Sequence, residues 1–202
     1  RALDLSVNAA VAAWEWPSYM NPEAKKNGIS IVKSSHEQYS NPLHSNNKII
    51  GTYINSTMAL HEALRKGADE ALLMDKNGFI SEGSGENIFI VKNGVICTPL
   101  TDHCLNGITR QSVITIAQDQ GFEVIEKNLE YVDLVEADEA FFTGTAVEIT
   151  PITKLDGKNI NSGKRGEITH QLQSIYGDVI TGKSEKYNSW LSYADPSRDE
   201  KS

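Results

Sequence analysis

Two short apolar runs joined by a two-residue turn limit most strongly what this chain can fold into. The runs Asn87 to Lys92 and Val95 to Thr98 flank Asn93-Gly94, and Asn-Gly between strand-like runs is the strongest short-range indication of a β-hairpin. A second pair of runs, Glu70 to Asp75 and Gly78 to Ser81, is separated by two residues in the same way. Hairpins interspersed with a few helices predict an α+β fold of mostly antiparallel or mixed strands with flanking helices, rather than a doubly wound parallel sheet.

Three stretches have helical character. Ser56 to Lys66 has apolar residues at helical spacing and is followed by Gly67, which is typical of a helix end. Thr109 to Gln120 places its apolar residues on one face, and Gly121 follows it. Gly166 to Gly182 is mostly helical. Further strands are predicted for Leu3 to Trp16, Gly28 to Ser34, Glu123 to Leu129, Glu139 to Thr143 and Glu148 to Leu155, with residues 38–47 as a loop.

Composition excludes several classes of protein. The chain has 202 residues, 39% of them hydrophobic and 23% charged, which is enough to build a buried core. Its net charge of −8 argues against nonspecific binding to nucleic acid. No run approaches the length of a membrane span, and nothing at the start reads as a signal peptide. Cys97 and Cys104 are too few for a disulfide framework, so a reducing cytoplasm is expected.

Lys48 is the candidate nucleophile. An ordinary surface lysine is a poor nucleophile at neutral pH because its amine is protonated. An apolar neighbourhood lowers the pKa of such an amine, and Ile49 and Ile50 could supply part of one. Taken alone, Lys48 is more simply read as a solvated surface residue.

Two glutamates follow in the segment Ser81-Glu82-Gly83-Ser84-Gly85-Glu86-Asn87. A carboxylate beside a pyridinium nitrogen keeps that nitrogen protonated, and Glu82 is the candidate for this role. The glycines permit a tight turn that would orient Glu82 and Glu86 differently. Glu86 could equally pair with an arginine nearby in the fold. A solvated turn glutamate is the simpler reading of either residue alone.

Two turns are candidates for holding an anion. Gly107-Ile108-Thr109 precedes an amphipathic helix, so its amides would point outward at the positive end of the helix dipole. The simpler reading is a plain helix start capped by Asn106. Thr143-Gly144-Thr145-Ala146 follows an apolar strand, and its glycine would let an anion approach the backbone closely. Any strand end can have that composition.

Tyr53 lies five residues after Lys48, and its hydroxyl could donate to a phenolate oxygen of a cofactor, although a half-buried core tyrosine is as good a reading. Cys97, His103 and Cys104 match no common zinc spacing, so no metal site is predicted.

Together these segments resemble the class IV pyridoxal-phosphate aminotransferases, and among them the branched-chain amino-acid aminotransferases. The resemblance follows family order and covers the chain to about Gly182. It rests on the segments Ala12-Ala13-Trp14-Glu15-Trp16, Lys48-x-x-Gly51-x-Tyr53-x-Asn55-Ser56, Glu70-Ala71-Leu72-Leu73-Met74-Asp75, Ile80-Ser81-Glu82-Gly83-Ser84-Gly85-Glu86-Asn87-Ile88-Phe89, Gly107-Ile108-Thr109-Arg110 and Phe142-Thr143-Gly144-Thr145-Ala146-Val147-Glu148-Ile149-Thr150-Pro151.

The resemblance implies a fold and a role for each site residue. The fold would be the large cofactor-binding domain of the fold type IV enzymes, spanning residues 1–193, with 194–202 as a polar tail. Lys48 would bind pyridoxal 5'-phosphate as a Schiff base, and Glu82 would pair with the ring nitrogen. The family also implies the remaining roles. Tyr53 would form a hydrogen bond with the cofactor's O3′, and the phosphate would be bound by Ile108, Thr109 and Thr145. The backbone of Thr145 and Ala146 would bind the substrate carboxylate.

The implied reaction is reversible amino transfer between leucine, isoleucine or valine and 2-oxoglutarate, in a homodimer or larger homo-oligomer. Two departures stand out. Ile49 and Ile50 occupy positions where relatives usually carry small residues, and no part of these 202 residues is expected to be the N-terminal small domain of the family. The chain is therefore expected to be a fragment with weak or no activity by itself. Three alternative identities stay open for the chain: a D-amino-acid aminotransferase, an aminodeoxychorismate lyase, or a catalytically idle dimerising domain.

Overall fold

The computed structural model describes residues 4–15, 21–38 and 47–193. These residues form five α-helices, two 3-10 helices and nine strands. The α-helices are α1 (Pro22–Asn27), α2 (Tyr53–Arg65), α3 (Ile108–Asp119), α4 (Tyr131–Val135) and α5 (Glu167–Ile180), and the 3-10 helices are Ile50–Thr52 and Glu185–Trp190. The strands are β1 (Ile29–Glu37), β2 (Glu70–Met74), β3 (Ile80–Glu82), β4 (Asn87–Lys92), β5 (Val95–Thr98), β6 (Val124–Glu126), β7 (Glu139–Gly144), β8 (Glu148–Leu155) and β9 (Lys158–Asn159).

The strands form one mixed sheet in the order β3-β2-β1-β8-β7-β4-β5-β6, with β9 paired to β8. β1 is parallel to both of its neighbours, and β5 is parallel to β6. The other pairs are antiparallel. The α+β prediction, with mixed strands and flanking helices, is confirmed.

Both predicted hairpins form. In the β4–β5 hairpin, Asn93 and Gly94 have φ angles of 51° and 77°. Positive φ at both central residues is the turn that matches the right-handed twist of antiparallel strands. In the β2–β3 hairpin, Leu73 pairs with Glu82 and Met74 with Ile80.

The central strands are buried on both faces. Along β4, Ile88 and Ile90 belong to one hydrophobic cluster, whereas Phe89 and Val91 belong to a second one. This division follows from the two-residue period of a strand. The second cluster includes side chains of α3 and α5, and a third joins α2 to β1 and β2. Helices therefore cover the sheet, and the loops between its strands carry the site.

The strand predicted from Leu3 to Trp16 is wrong within the described residues. Residues 6–15 have no regular structure, and Val7 and Val11 are 97% and 99% exposed. A β-compatible sequence needs a partner ladder to satisfy its backbone, and the described residues provide none here. Trp16 and most of the loop predicted for 38–47 lie outside the described residues.

Other boundaries shift. The strand predicted from Glu123 to Leu129 is confined to Val124–Glu126, which pairs with β5. Leu129 is buried in the first hydrophobic cluster instead. The short helices α1 and α4 were not predicted. They carry five or six residues each, too few for a periodic pattern to stand out.

Candidate active site

One cleft brings together Lys48, Tyr53 and Glu82. Lys48 lies just before the 3-10 helix Ile50–Thr52, Tyr53 begins α2, and Glu82 ends β3. The Lys48 Nζ lies 2.5 Å from the Tyr53 hydroxyl and 4.8 Å from the centre of the Tyr53 ring. The other lining residues are Gln38, Asn47, Thr52, Ser56, Ser84, Gly85, Glu86, Asn87 and Leu105.

The two isoleucines beside Lys48 do not create the expected apolar neighbourhood. Ile49 and Ile50 are 47% and 89% exposed, and neither lines the cleft. Lys48 itself is exposed. Among the described residues, Ile49 and Ile50 therefore do not shield the Lys48 amine from solvent.

The Glu82 carboxylate is held by groups from two different parts of the chain. Its Oε2 accepts a hydrogen bond from the Leu105 amide at 3.1 Å, and its Oε1 accepts one from the Gln38 side chain. Burial raises the pKa of Glu82 to about 7, against the opposing effects of these two hydrogen bonds and of the Lys48 charge. A protonated pyridine nitrogen placed beside this carboxyl would oppose the effect of burial and favour the carboxylate, so a cationic ring nitrogen suits the site.

Two further carboxyls are buried next to the cleft. Glu86 accepts a hydrogen bond from the Gly85 amide at 2.9 Å, and Glu70 accepts one from the Ala71 amide at 2.6 Å. Burial, together with the nearby Glu70 charge, raises the pKa of Glu86 to about 8. Burial also raises the pKa of Glu70. Among the described residues no arginine pairs with Glu86, in contrast to the alternative reading of that residue.

The start of α3 is open to an anion. Gly107 occupies the N-cap position and no side chain caps the helix. Asn106 is not the cap, since its side chain accepts from Arg110 Nη1 at 3.3 Å. Ile108 is 83% exposed, and the buried Thr109 places its hydroxyl 3.5 Å from that of Tyr176. Amides at an uncapped helix start fit a phosphate group.

The turn after β7 lies beside a second cleft. Gly144 and Ala146 line this cleft together with Tyr53 and Glu86, which also line the first. Thr145 is exposed and lines neither cleft. The structure thus places Ala146 next to the Lys48 cleft, whereas Ile108 lines a separate groove between α3 and α5.

The strand that leads into this turn carries a polar atom without a partner. The Thr143 hydroxyl is buried and has no hydrogen-bond partner among the described residues. A buried hydroxyl in this state is costly unless a ligand or water satisfies it. The half-buried Glu82 in the Lys48 cleft and the uncapped start of α3 are features of the chain that fit pyridoxal phosphate.

The chain matches the sequence model described as amino-transferase class IV over residues 3–155. The chain belongs to the class IV aminotransferase family. Two relatives are the branched-chain-amino-acid aminotransferases of Pseudomonas aeruginosa, 48% identical over 94% of this chain, and of Escherichia coli, 39% identical over 92%. The chain spans 62% and 61% of the length of these relatives.

Solved structures agree with this class IV assignment. The Escherichia coli branched-chain amino acid aminotransferase superposes with a TM-score of 0.87 at 39% identity, covering 91% of this chain and 61% of that chain. The enzyme of the archaeon Thermoproteus uzoniensis, solved with norvaline, superposes with a TM-score of 0.83 at 43% identity, covering 90% and 59%. A third branched-chain enzyme, solved with pyridoxamine 5'-phosphate, superposes with a TM-score of 0.86 at 41% identity, covering 90% and 60%. The fold of this class IV chain is therefore the one shared by those branched-chain aminotransferases, as the resemblance implied.

Several residues of this class IV site escaped the sequence analysis. Leu105 contributes a backbone amide to Glu82, and Gln38 reaches it from the end of β1. Neither residue type indicates a site by itself. Glu70 could have been predicted, because it is the first residue of the wholly buried strand β2 and burial of a carboxylate is costly unless it has a partner. Within the described part of the chain, no group of three or more His, Cys, Asp or Glu is placed to hold a metal, and no helix is long and apolar enough to cross a membrane.

Proposed function

We propose that this chain is the cofactor-binding part of a branched-chain amino-acid aminotransferase. The reaction is reversible transfer of an amino group between leucine, isoleucine or valine and 2-oxoglutarate, with pyridoxal 5'-phosphate as cofactor. The observation that carries the proposal is the shared cleft of Lys48, Tyr53 and Glu82 in a class IV chain. Supporting it, the relatives and solved structures described above are named as branched-chain enzymes.

The residues of the first cleft would hold the ring of the cofactor. When bound, pyridoxal phosphate withdraws electrons from the Cα of an amino acid, so that its proton becomes easier to remove. Lys48 Nζ would hold the cofactor covalently and carry the proton taken from Cα. Glu82 would keep a proton on the ring nitrogen, and Tyr53, already 2.5 Å from Lys48 Nζ, would donate its hydroxyl proton to the O3′ atom.

The phosphate and the substrate would be held by backbone groups. The amides of Ile108 and Thr109, which no side chain caps, would donate to the phosphate, together with Thr145. The backbone of Thr145 and Ala146 would meet the substrate carboxylate, next to the cleft that Ala146 lines. The positive end of the α3 dipole suits the phosphate, whereas the substrate carboxylate would meet amide donors of the β7–β8 turn.

Residues 1–193 would act as one cofactor-binding domain, with 194–202 as a tail outside the described residues. We expect a homodimer or larger homo-oligomer in the cytoplasm. The free, buried thiols of Cys97 and Cys104 are consistent with a reducing compartment.

Amino transfer by the protein that contains this chain tests the function. Leucine, isoleucine and valine should each give up their amino group to 2-oxoglutarate, and Lys48→Ala should abolish the transfer. Lys76→Ala is the matched control, because Lys76 is an exposed turn residue away from the cleft, and it should leave the rate unchanged. Transfer from D-alanine but from none of the branched-chain acids would overturn the substrate assignment.

A further inference from the structure

A short segment joins the two ends of the proposed cofactor site. At one end the Leu105 amide donates to Glu82 Oε2 at 3.1 Å. At the other end Gly107 is the N-cap of α3, whose first amides are uncapped. A single residue, Asn106, therefore separates the donor on the ring-nitrogen carboxylate from the candidate phosphate turn.

The Asn87 side chain contacts this segment at Leu105 and at Gly107. Its Nδ2 donates to the Leu105 carbonyl at 2.7 Å. Its Oδ1 lies so close to Gly107 that a Cβ added there would be 2.4 Å away. Asn87 is only 5% exposed, and its backbone is fixed in the sheet opposite Thr143 of β7. The asparagine side chain thus ties the segment to the rigid strand β4.

The outer part of the same loop is fastened independently. Arg110 Nη2 donates to the Pro99 carbonyl at 2.9 Å, and His103 Nδ1 lies 3.2 Å from an Asp75 carboxylate oxygen. Loss of the Asn87 side chain should therefore free the Leu105 carbonyl and the face of Gly107 beside it, while Arg110 Nη1 still donates to Asn106 and the rest of the loop stays attached. The effect would fall on the geometry of the site more than on the fold.

We propose that Asn87 is a positioning residue that sets the spacing between Glu82 and the N-terminus of α3. The inference rests on the proposed function and deepens it. The ring nitrogen and the phosphate of pyridoxal phosphate are held apart by a stiff ring, so both can be bound fully only when the two protein groups stand at the matching distance. A side chain that fixes this distance in advance removes the ordering cost from binding.

A positioning residue and a residue that only stabilises the fold affect ligand binding differently. A merely structural residue weakens every ligand of the site to the same degree when it is removed. Removal of the Asn87 side chain should instead reduce the contributions that the phosphate and the ring nitrogen make to the affinity for pyridoxal phosphate. Three probes separate these contributions: pyridoxal phosphate, pyridoxal without the phosphate, and the analogue of pyridoxal phosphate with CH in place of the ring nitrogen.

The experiment measures dissociation constants of the three probes for the whole chain and its variants. In the wild-type chain, pyridoxal phosphate should bind more tightly than either other probe. Two ratios are compared: the affinity for pyridoxal phosphate over that for pyridoxal, and the affinity for pyridoxal phosphate over that for the analogue without the ring nitrogen. Asn87→Ala should reduce each ratio by about tenfold, equivalent to about 1.4 kcal/mol. Ile96→Ala, a core change in β5 away from the cleft, controls for lost stability and should leave both ratios unchanged.

Gly107→Ala provides a second variant that leaves Asn87 in place. Its added Cβ would push against Asn87 Oδ1, so both ratios should again fall. In an Asn87→Ala background the same alanine should have a smaller effect, because the colliding oxygen is gone. Gly177→Ala is the matched control, since a Cβ there meets no atom within 4 Å.

The outcomes separate the inference from the proposed function. A wild-type chain that fails to bind pyridoxal phosphate would sink the proposed function. A wild-type chain that binds it, while Asn87→Ala and Gly107→Ala weaken all three probes equally or leave all three unchanged, would overturn the positioning role alone. Additive effects of the two substitutions would also overturn it.

Discussion

The Lys48 amine lies 2.5 Å from the Tyr53 hydroxyl, five positions along the chain. The 3-10 helix Ile50–Thr52 lies between them and leads directly into α2 at Tyr53. Neither side chain is buried. The pair is therefore set by local backbone geometry, and it puts an amine and a phenol at the same point of the cleft that Glu82 lines.

Tyr53→Phe should weaken cofactor binding while keeping the ring in place. Removing a hydroxyl that donates one hydrogen bond costs about 1–2 kcal/mol, which is about a five- to thirtyfold rise in the dissociation constant of pyridoxal phosphate. Titration of the visible absorbance band measures it. Tyr131→Phe, which also loses a phenolic hydrogen bond but far from the cleft, should leave the constant unchanged.

Glu82→Gln should slow amino transfer much more than it weakens binding. A neutral amide cannot hold the ring nitrogen protonated, so the removal of the Cα proton loses its electron sink. In the protein that contains this chain, we expect the single-turnover rate with leucine to fall by about a hundredfold or more, within the range of general acid–base effects. A rate within twofold of wild type would exclude this role for Glu82.

Folding stability of the cofactor-free chain should decrease with rising pH. Burial raises the pKa values of Glu82 and Glu86 from 4.5 to about 7 and about 8. The folded chain therefore binds more protons than the unfolded chain between about pH 4.5 and 8, so these two carboxyls lower the free energy of unfolding as pH rises through that window. The loss should be on the order of a few kcal/mol.

Urea unfolding at several pH values measures this dependence. Glu86→Gln should flatten the curve, because the amide stays neutral throughout. Glu123→Gln is the control, since Glu123 is exposed and its substitution should leave the slope as it is. A curve for Glu86→Gln that parallels wild type would contradict the burial argument.

Two neighbouring glycines should respond differently to alanine. At Gly83 an added Cβ would lie 2.6 Å from Glu86 Oε2 and 3.0 Å from the Phe142 ring, whereas at Gly85 it meets nothing within 4 Å. Overpacking of this kind costs about 1–3 kcal/mol. Gly83→Ala should therefore lower the free energy of unfolding in urea by that amount, and Gly85→Ala should change it little. Equal effects would show that close packing at Gly83 is not the cause.

The sequence was most informative where structure is local. The Asn93-Gly94 turn could be predicted because the positive φ angles are a property of those two residues. The strand expected around Val7 could not be assessed in the same way, because a strand depends on a partner that the local pattern does not reveal. Helix α4 was too short to show a period.

The same limit applies to the candidate site. Lys48, Tyr53 and Glu82 could be nominated from residue type and order, and the structure places them in one cleft. The contribution of Leu105 could not be foreseen, because its backbone amide reaches Glu82 only through the fold of an irregular loop. The roles of Thr109 and Thr145 stay predictions.

Covalent trapping of the cofactor tests the central claim most directly. The chain is incubated with pyridoxal phosphate, reduced with borohydride to convert a C=N bond into a stable amine, digested and analysed by mass spectrometry. The account predicts a phosphopyridoxyl group on the peptide containing Lys48, on no other lysine in comparable yield, and none at that site in Lys48→Ala. An unmodified Lys48 with the label spread over surface lysines such as Lys76 would contradict it.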